Sequence, residues 1–371
     1  MTDFIVIGGG IAGVAAAAHL APHGEVTLLE TEPSLAYHTS GRSAAMLVEN
    51  YGSAGSRPLV KAARPFLESP PEGSVDAPLL SDRAVVWVAP KGEPMERLAE
   101  RAEKGRLQGS RSELLDTGGV LDVLPVMSPN WVGGGLYEPS GADIDVAALH
   151  QAFVRIARAH DAIILTQAPA VGIARKAGRW EVRSNGRTVE GDVLVNASGA
   201  WGDVIAEMAG VAPIGLRPYR RTAFMVPGSE GSAGLPMVVE VDENFYFRPD
   251  GVQYLCSLAE ETPSEPTDAR PRMEDVALAI ERINEATTLN IRTVNSQWAG
   301  LRTFSPDRDL VIGEDPKAPG FFWLVGLGGI GMQTSPAYGA LIASQVIGED
   351  LPPGFAEAGV DPERTAPGRF R

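Results

Sequence analysis

The sequence predicts an α/β protein: a discontinuous, doubly wound unit with a mainly parallel sheet, into which a mainly antiparallel β unit carrying helices is inserted. Three observations predict it. "FIVIGGGIAGVAAAAHL" joins a continuously apolar strand, a glycine-rich turn and a helix of small residues, as at the start of a parallel sheet buried on both faces. That strand texture returns at "DVLVNASGAW" and at "FFWLVGL". Between the returns run short β-like stretches, "AVVWVA", "TAFMV", "MVVEV", "FYFR" and "VQYLCS", broken by Pro, Gly and Asp clusters as in an antiparallel sheet. At 371 residues the chain also exceeds the usual reach of one hydrophobic core, so two units are expected.

Taken in order, residues 4–7 form the first strand and residues 14–20 the first helix, ended by Pro22 and Gly24. Gly8, Gly10 and Gly13 give G-x-G-x-x-G, with Ile11 and Ala12 inside the turn. Gly8 permits the tight turn, Gly10 lets backbone approach a pyrophosphate, and Gly13 lets helix and strand pack closely. The helix N-terminus offers free N–H groups to the phosphates. "EVTLLE" is the second strand. Glu30 at its carboxyl end, next to Thr31, stands where an acid accepts from ribose hydroxyls. Together these parts make a Rossmann-like dinucleotide fingerprint, which by itself does not separate FAD from NAD.

"HTSGRSAAMLVENYG", His38 to Gly52, is polar first, then apolar at Met46, Leu47 and Val48, and ends on Tyr51-Gly52. On its residues alone it reads as a surface loop. "EPMERLAERAEKG" is a helix with a charged outer face. "DIDVAALHQAFVRIARAH" is an amphipathic helix with Val146, Leu149, Phe153 and Ile156 on one face, and "AIILT" a buried strand after it. "RWEVRSNGRTVEG" is a hairpin around a type I′ turn at Asn185-Gly186. The strand ending at Asn196 runs into a small-residue turn through Ala197 and Gly199 to Trp201, followed by a helix over about residues 202–210. "MEDVALAIERINEATT" is a further helix. The last strand enters a second glycine loop, "GLGGIGMQTS", then the helix "PAYGALIASQVIG", and the tail from Leu351 is expected to pack loosely. The expected division is a cofactor unit of residues 1–45, 142–215 and 298–371, and a substrate unit of residues 46–141 and 216–297. A cofactor that spans both units suits this layout, and FAD suits it better than NAD.

The formal charge of −15 argues against nucleic acid and anionic membranes as partners. The single cysteine, Cys256, excludes an internal disulfide and a cysteine-based metal cluster, and its apolar surroundings read as an inert core thiol. The five histidines lack metal-binding spacing, so no metal is expected. No apolar run reaches membrane-spanning length and the N-terminus lacks a basic region, so a cytoplasmic protein without a transmembrane segment is expected.

In order and spacing, "VIGGGIAG", "GRSAA", "LVNASGAW", "WAGLRTFSPD" and "GLGGIGMQTS" resemble the FAD-dependent D-amino-acid oxidase and glycine/sarcosine oxidase superfamily over nearly the whole chain. Within it, "YHTSGRSAA", "GADIDVAALHQ", "RRTAF", "DENFYF", "NEATTLNIRT" and "WAGLRTF" are most similar to bacterial D-arginine dehydrogenases. The resemblance implies non-covalent FAD and oxidative deamination of D-amino acids to 2-oxo acids and ammonia, by hydride transfer from Cα to the flavin. It implies that the segment from His38 through Ser40, Gly41 and Arg42 to Ser43, Ala44 and Ala45 passes beside the isoalloxazine ring, where small residues let backbone N–H groups approach. It implies a nest facing the flavin N1–C2=O region from Gly328, Gly329, Ile330, Gly331, Met332 and Gln333, with the Gly329 carbonyl also accepting from the substrate amine. Ala170 would meet the adenine. Arg302 and Arg221 match arginines that hold the substrate carboxylate, for which a planar fork is suited. Tyr51 and Tyr246 match tyrosines that cover the substrate. On their residue types alone, the arginines also read as structural ion pairs and the tyrosines as buried packing.

The departures from D-arginine dehydrogenases are all toward apolar. Met46 and Val48 stand where those enzymes carry His and Thr, and Val85 stands where they carry the glutamate that holds the substrate guanidinium. Met237, Val239 and Gln333 complete the expected pocket. An apolar or neutral side chain is therefore expected rather than that of D-arginine; a preference for D-arginine would require another acid, Glu49 or Glu240. Sarcosine or proline, which are secondary amines, or glycine is the alternative substrate. A non-catalytic flavin-binding subunit and an NAD-dependent dehydrogenase are alternatives of other classes. The acceptor that reoxidises the flavin, a quinone or O2, is open.

Overall fold

A computed structural model describes residues 2–92, 95–106, 110–228 and 232–371. A six-stranded sheet runs in the spatial order Val311–Glu314, Phe321–Val325, Val193–Asn196, Thr2–Ile7, Gly24–Leu29, Ile163–Leu165. All its neighbours pair in parallel except Val311–Glu314, which runs antiparallel to Phe321–Val325. Both faces are covered, and the first strand shows it. Phe4 and Val6 pack with the helices Ile11–Leu20, Val146–Ala159 and Gly331–Ile347. Ile5 and Ile7 pack with the hairpin sheet residues Trp180 and Val182 on the other face. That two-sided burial is why the strand reads as an unbroken apolar run. The order reverses at Thr2–Ile7, which lies between the strands that follow and return to it. Its carboxyl end therefore opens on the crevice where such sheets bind ligands.

The inserted layer is a nine-stranded sheet. Eight strands follow one path, Thr262–Pro263, Arg217–Pro227, Gln253–Ser257, Tyr246–Asp250, Met237–Glu240, Val85–Pro90, Val132–Glu138, Glu113–Asp116, and Ser296–Phe304 pairs along Arg217–Pro227. It is antiparallel apart from Met237–Glu240 on Val85–Pro90, a parallel pair inside an otherwise antiparallel sheet. Helix Met273–Ala286 packs on it through Val276, Ala279 and Ile283, positions three and four apart that share one face. A further small sheet, Met46–Leu47, Ala142–Ile144 and Leu80–Asp82, stands where the chain crosses between the layers.

Several expectations change. The helix placed over residues 93–105 is Glu96–Arg106, and Glu93 and Pro94 lie outside the described residues. "AIILT" becomes Ile163–Leu165, the edge strand of its sheet, so Ile163 is exposed rather than buried. Asn185 and Gly186 have φ of 43° and 76°, the positive values that a type I′ turn requires. The tail is tied down. Arg371 pairs with buried Asp315 at 2.7 Å and donates to the carbonyls of Ala212 and Pro213, and Arg369 binds Asp307 and the Leu310 carbonyl. Pro and Gly in the tail signal irregular backbone, and these two arginines supply the partners that the composition does not reveal. No helix among the described residues is long and apolar enough to cross a membrane.

Candidate active site

A cavity of about 560 Å³ runs from the first glycine turn to the inserted sheet, so residues far apart in sequence share one wall. At the turn, Gly8 has φ 110°, and a Cβ there would lie 2.5 Å from the Ala197 carbonyl oxygen. A Cβ on Gly13 would lie 1.8 Å from the Gly8 carbonyl oxygen. Gly13 thus sets the helix–strand approach and does not itself line the cavity. Helix Ile11–Leu20 starts at the cavity, and the Ile11 N–H donates to Ser40 Oγ at 2.9 Å. Glu30 lines the cavity and accepts from the Gly9 N–H at 2.6 Å and the Glu32 N–H at 2.8 Å. Buried His150 lies with Nε2 3.0 Å from the Gly9 carbonyl oxygen. Burial lowers its pKa, so the neutral ring donates to that carbonyl and steadies the turn. His150 escaped the sequence reading, although Val146, Leu149, His150 and Phe153 follow the spacing of one helix face.

The segment that reads as a surface loop is fastened to the inserted sheet. Thr39 Oγ1 donates to the Leu301 carbonyl at 2.9 Å. Arg42 binds Asp268 at 2.5 Å and the carbonyls of Ala269 and Ala299, and Trp298 Nε1 donates to the Arg42 carbonyl. So held, Ser43, Ala44 and Ala45 face the cavity. His38 pairs with Glu32 at 2.9 Å and packs on Trp201, both cavity residues. Gly41 does not line the cavity: a Cβ there would lie 2.2 Å from the Ala36 carbonyl oxygen, so it serves the turn. Thr31, Ala170, Ala197 and Gly199 line the cavity around Glu30 and Trp201.

In the second glycine loop the expected nest is in part a helix start. Gly328 has φ 53°, but helix Gly331–Ile347 begins inside the loop, and its Thr334 N–H bonds to the Ile330 carbonyl. The N–H groups of Gly331, Met332 and Gln333 precede that bond and belong to the unpaired first turn of a helix. Gly331, Met332 and Gln333 line the cavity, whereas Ile330 turns into the core and does not. Gln333 is buried and accepts from the Val48 N–H through Oε1 at 2.8 Å, joining this helix to the crossing strand.

The inserted sheet closes the other end. Pairing of Arg217–Pro227 with Ser296–Phe304 sets Tyr219 opposite Arg302 and Arg221 opposite Gly300, so both arginines project from one face. Pairing across the next strands sets Met237 opposite Val85, Val239 opposite Trp87 and Tyr246 opposite Val239, again on one face. With Met46 and Val48 these residues form an apolar wall beside the arginines. Trp87 is a wall residue that the sequence reading missed, although it lies two residues beyond Val85 and so shares its face.

Arg302 reaches Tyr51 at 3.4 Å, and Tyr51 in turn lies 3.4 Å from Glu243. Among the described residues no carboxylate lies within ion-pair distance of Arg302. Burial opposes its charge, but Tyr51, Tyr246 and Glu243 outweigh burial and hold its pKa above the ordinary value. A Cβ on Gly329 would lie 2.8 Å from Arg302 Cζ, so the guanidinium lies against the bare backbone of that glycine. Buried Arg221 donates to the Glu260 carbonyl at 2.8 Å and lies 3.7 Å from Glu261. Burial and the neighbouring Arg302 charge both lower its pKa. The acids considered as partners of a cationic side chain are engaged elsewhere. Glu49 pairs with Arg64, and Glu240 accepts from the N–H groups of Asp242 and Asn244. Cys256 is fully buried in the inserted sheet, away from the cavity. Among the described residues no group of His, Cys, Asp and Glu could hold a metal ion.

Residues 3–345 match the FAD dependent oxidoreductase family, and the chain belongs to that family. Human mitochondrial sarcosine dehydrogenase is 24% identical over 93% of this chain, although the chain spans only 39% of that protein. L-proline dehydrogenase from P.horikoshii superposes with a TM-score of 0.86 at 21% identity, covering 100% of this chain and 97% of the other. Glycine oxidase from Geobacillus kaustophilus superposes with 0.82 at 21%, covering 94% and 96%. The residues present fit FAD. A Cβ at Gly8 would collide with backbone, helix Ile11–Leu20 starts at the cavity, and the cavity continues from this turn to the arginines.

Proposed function

We propose that the chain oxidatively deaminates α-amino acids with apolar or neutral side chains, D-amino acids in particular, to 2-oxo acids and ammonia. The observation that carries this reading is the pairing, at one end of the cofactor cavity, of two arginines with an apolar wall of Met46, Val48, Val85, Met237 and Val239. Bound FAD, held without a covalent link, supplies the acceptor for the hydride that leaves the substrate Cα.

The chain's own residues do the rest. The Arg302 fork holds the substrate carboxylate in a position where, among the described residues, no protein carboxylate competes, with Tyr51 and Tyr246 beside it. Arg221 adds a second positive charge on the same face. Two guanidinium charges disfavour a third cation nearby, so the substrate amine sheds its proton to solvent on binding and leaves its lone pair free to form the imine. The Gly329 carbonyl accepts from the amine. The unpaired N–H groups at the start of Gly331–Ile347 stabilise negative charge that develops on the reduced cofactor. The apolar wall excludes water from the side chain, and water then hydrolyses the released imine.

A screen of anaerobic flavin bleaching over D- and L-amino acids tests this. D-leucine, D-methionine or D-phenylalanine should bleach faster than D-arginine or D-lysine. No bleaching by any amino acid would overturn the reading. The relatives named for sarcosine and proline favour a second reading, a secondary-amine substrate on the same arginines. Faster bleaching by sarcosine or proline than by D-leucine selects it.

A further inference from the structure

A second cavity of about 550 Å³ adjoins the first, and Tyr51, Glu243, Gly328 and Gly329 line both. Its cations contrast with the charge of the chain as a whole. Arg57, Arg97, Arg101, Lys104 and Arg308 line it, against Glu100, Glu243 and Glu261. Three of the five cations are matched: Arg97 pairs with Asp242, Arg308 binds Glu261 through both carboxylate oxygens, and Lys104 lies 4.0 Å from Glu100. Arg57 and Arg101 are different. Among the described residues Arg57 donates only to the Gly52 carbonyl, at 3.1 Å, and neither arginine has a carboxylate within ion-pair distance. The Arg101 guanidinium lies 3.4 Å over the ring of Trp87, itself a wall residue of the first cavity. The acids facing Arg101 are Glu243 and buried Glu138, both beyond ion-pair distance.

We propose that this second cavity is an antechamber that binds small carboxylates through Arg101 and Arg57, on the route between solvent and Arg302. A guanidinium drawn out of water and stacked on an indole keeps its donor edge free for an oxyanion. The sign of the local charge makes the cavity attractive to a carboxylate that the surface of a chain with charge −15 otherwise repels. The proposal rests on the amino-acid reading for its ligand, which is either the incoming substrate or the outgoing 2-oxo acid. Both carry the carboxylate that the two arginines recognise.

The test uses oxidised holoenzyme carrying Arg302→Ala, which removes the inner carboxylate holder. 4-Methyl-2-oxopentanoate and, separately, D-leucine are titrated calorimetrically. Weak binding that persists in this variant and fades with added salt is expected. Adding Arg57→Gln and Arg101→Gln should weaken it by about tenfold or more, the loss of one or two charge-assisted hydrogen bonds. Arg57→Lys and Arg101→Lys, which keep the charge but not the fork, should restore only part of it, and equal flavin content across the set shows that the fold is kept. Binding of D-leucine marks an entry route, and binding of the oxo acid alone marks an exit. Loss of all carboxylate binding on Arg302→Ala, or no change on removing the two arginines, overturns the proposal. The parent enzyme's bleaching by D-leucine reports the amino-acid reading separately.

Discussion

At the scale of single residues, Arg302 has the most to explain. It is a cation against a glycine backbone with tyrosines and, among the described residues, no paired carboxylate beside it, and that setting suits a substrate anion. Arg302→Lys and Arg302→Ala should both lose flavin reduction by substrate while keeping FAD, because an ammonium cannot reproduce the fork. The loss should amount to about 2 kcal/mol or more in kcat/KM for each, since a charge-assisted pair is involved. Near-normal rapid-mixing kinetics would reduce Arg302 to a structural role. Gly329→Ala tests the same geometry from the other side. Its new Cβ meets Arg302 Cζ at 2.8 Å, so the guanidinium must move. Substrate affinity should fall sharply while the visible spectrum of the bound flavin changes little, and unchanged affinity would mean that the arginine yields without consequence.

At the scale of elements, the ladder of the inserted sheet decides specificity. Val85 lies opposite Glu138, which is buried and whose pKa burial raises above the ordinary carboxyl range. Val85→Glu should raise kcat/KM for D-arginine and lower it for D-leucine, since the carboxylate that pairs with one side chain is left bare by the other. Glu138 adds a refinement. Two carboxyls side by side resist joint ionisation, so Val85→Glu with Glu138→Gln should exceed the single variant on D-arginine. Equal ratios in parent and variants would mean that Val85 does not face the substrate side chain. The helix pair Ile11–Leu20 and Gly331–Ile347 carries a pH-sensitive contact. A Cβ on Gly339 would lie 2.7 Å from His19, and burial, with a smaller effect of His23, lowers the His19 pKa from 6.5 to about 4. The unfolded chain therefore takes up this proton first. Above pH 6.5 the group contributes nothing to the pH dependence, and stability falls as pH drops from 6.5 toward 4. The loss is on the order of 2–3 kcal/mol, and denaturant midpoints for His19→Gln should show a shallower slope across that window.

At the scale of the whole molecule, the cavity joins elements from both sheets. Cys256 is buried in the inserted sheet away from the cavity, and His38 Nε2 is engaged by Glu32. Acid precipitation should therefore release all the yellow colour into the supernatant; colour retained in the pellet would mean a covalent link. Arg42 and Thr39 belong to a segment that follows the cofactor turn, yet they bond to Ala299 and Leu301 of the inserted sheet. These contacts hold the cavity wall together across the crossing point.

How much of this was legible in the sequence follows from the range of the forces involved. The glycine turn, the acid that ends the second strand, the hairpin at Asn185-Gly186 and the amphipathic helix from Val146 are written in local pattern. Steric limits on φ and the periods of strand and helix act within a few residues, so sequence by itself determined them. The arginines, tyrosines and apolar wall residues were found through motif resemblance, and the cavity does gather them. Strand register was not legible. The parallel pair of Met237–Glu240 on Val85–Pro90, Trp87 on the cavity wall, Glu243 beside Tyr51 and Glu138 opposite Val85 all depend on which strand lies next to which. The bound tail depends on it as well, as do the two arginines that have no carboxylate partner among the described residues. Only the tertiary structure decided these, because a charge is paired or left free by neighbours far away in the chain, and local composition carries no record of them.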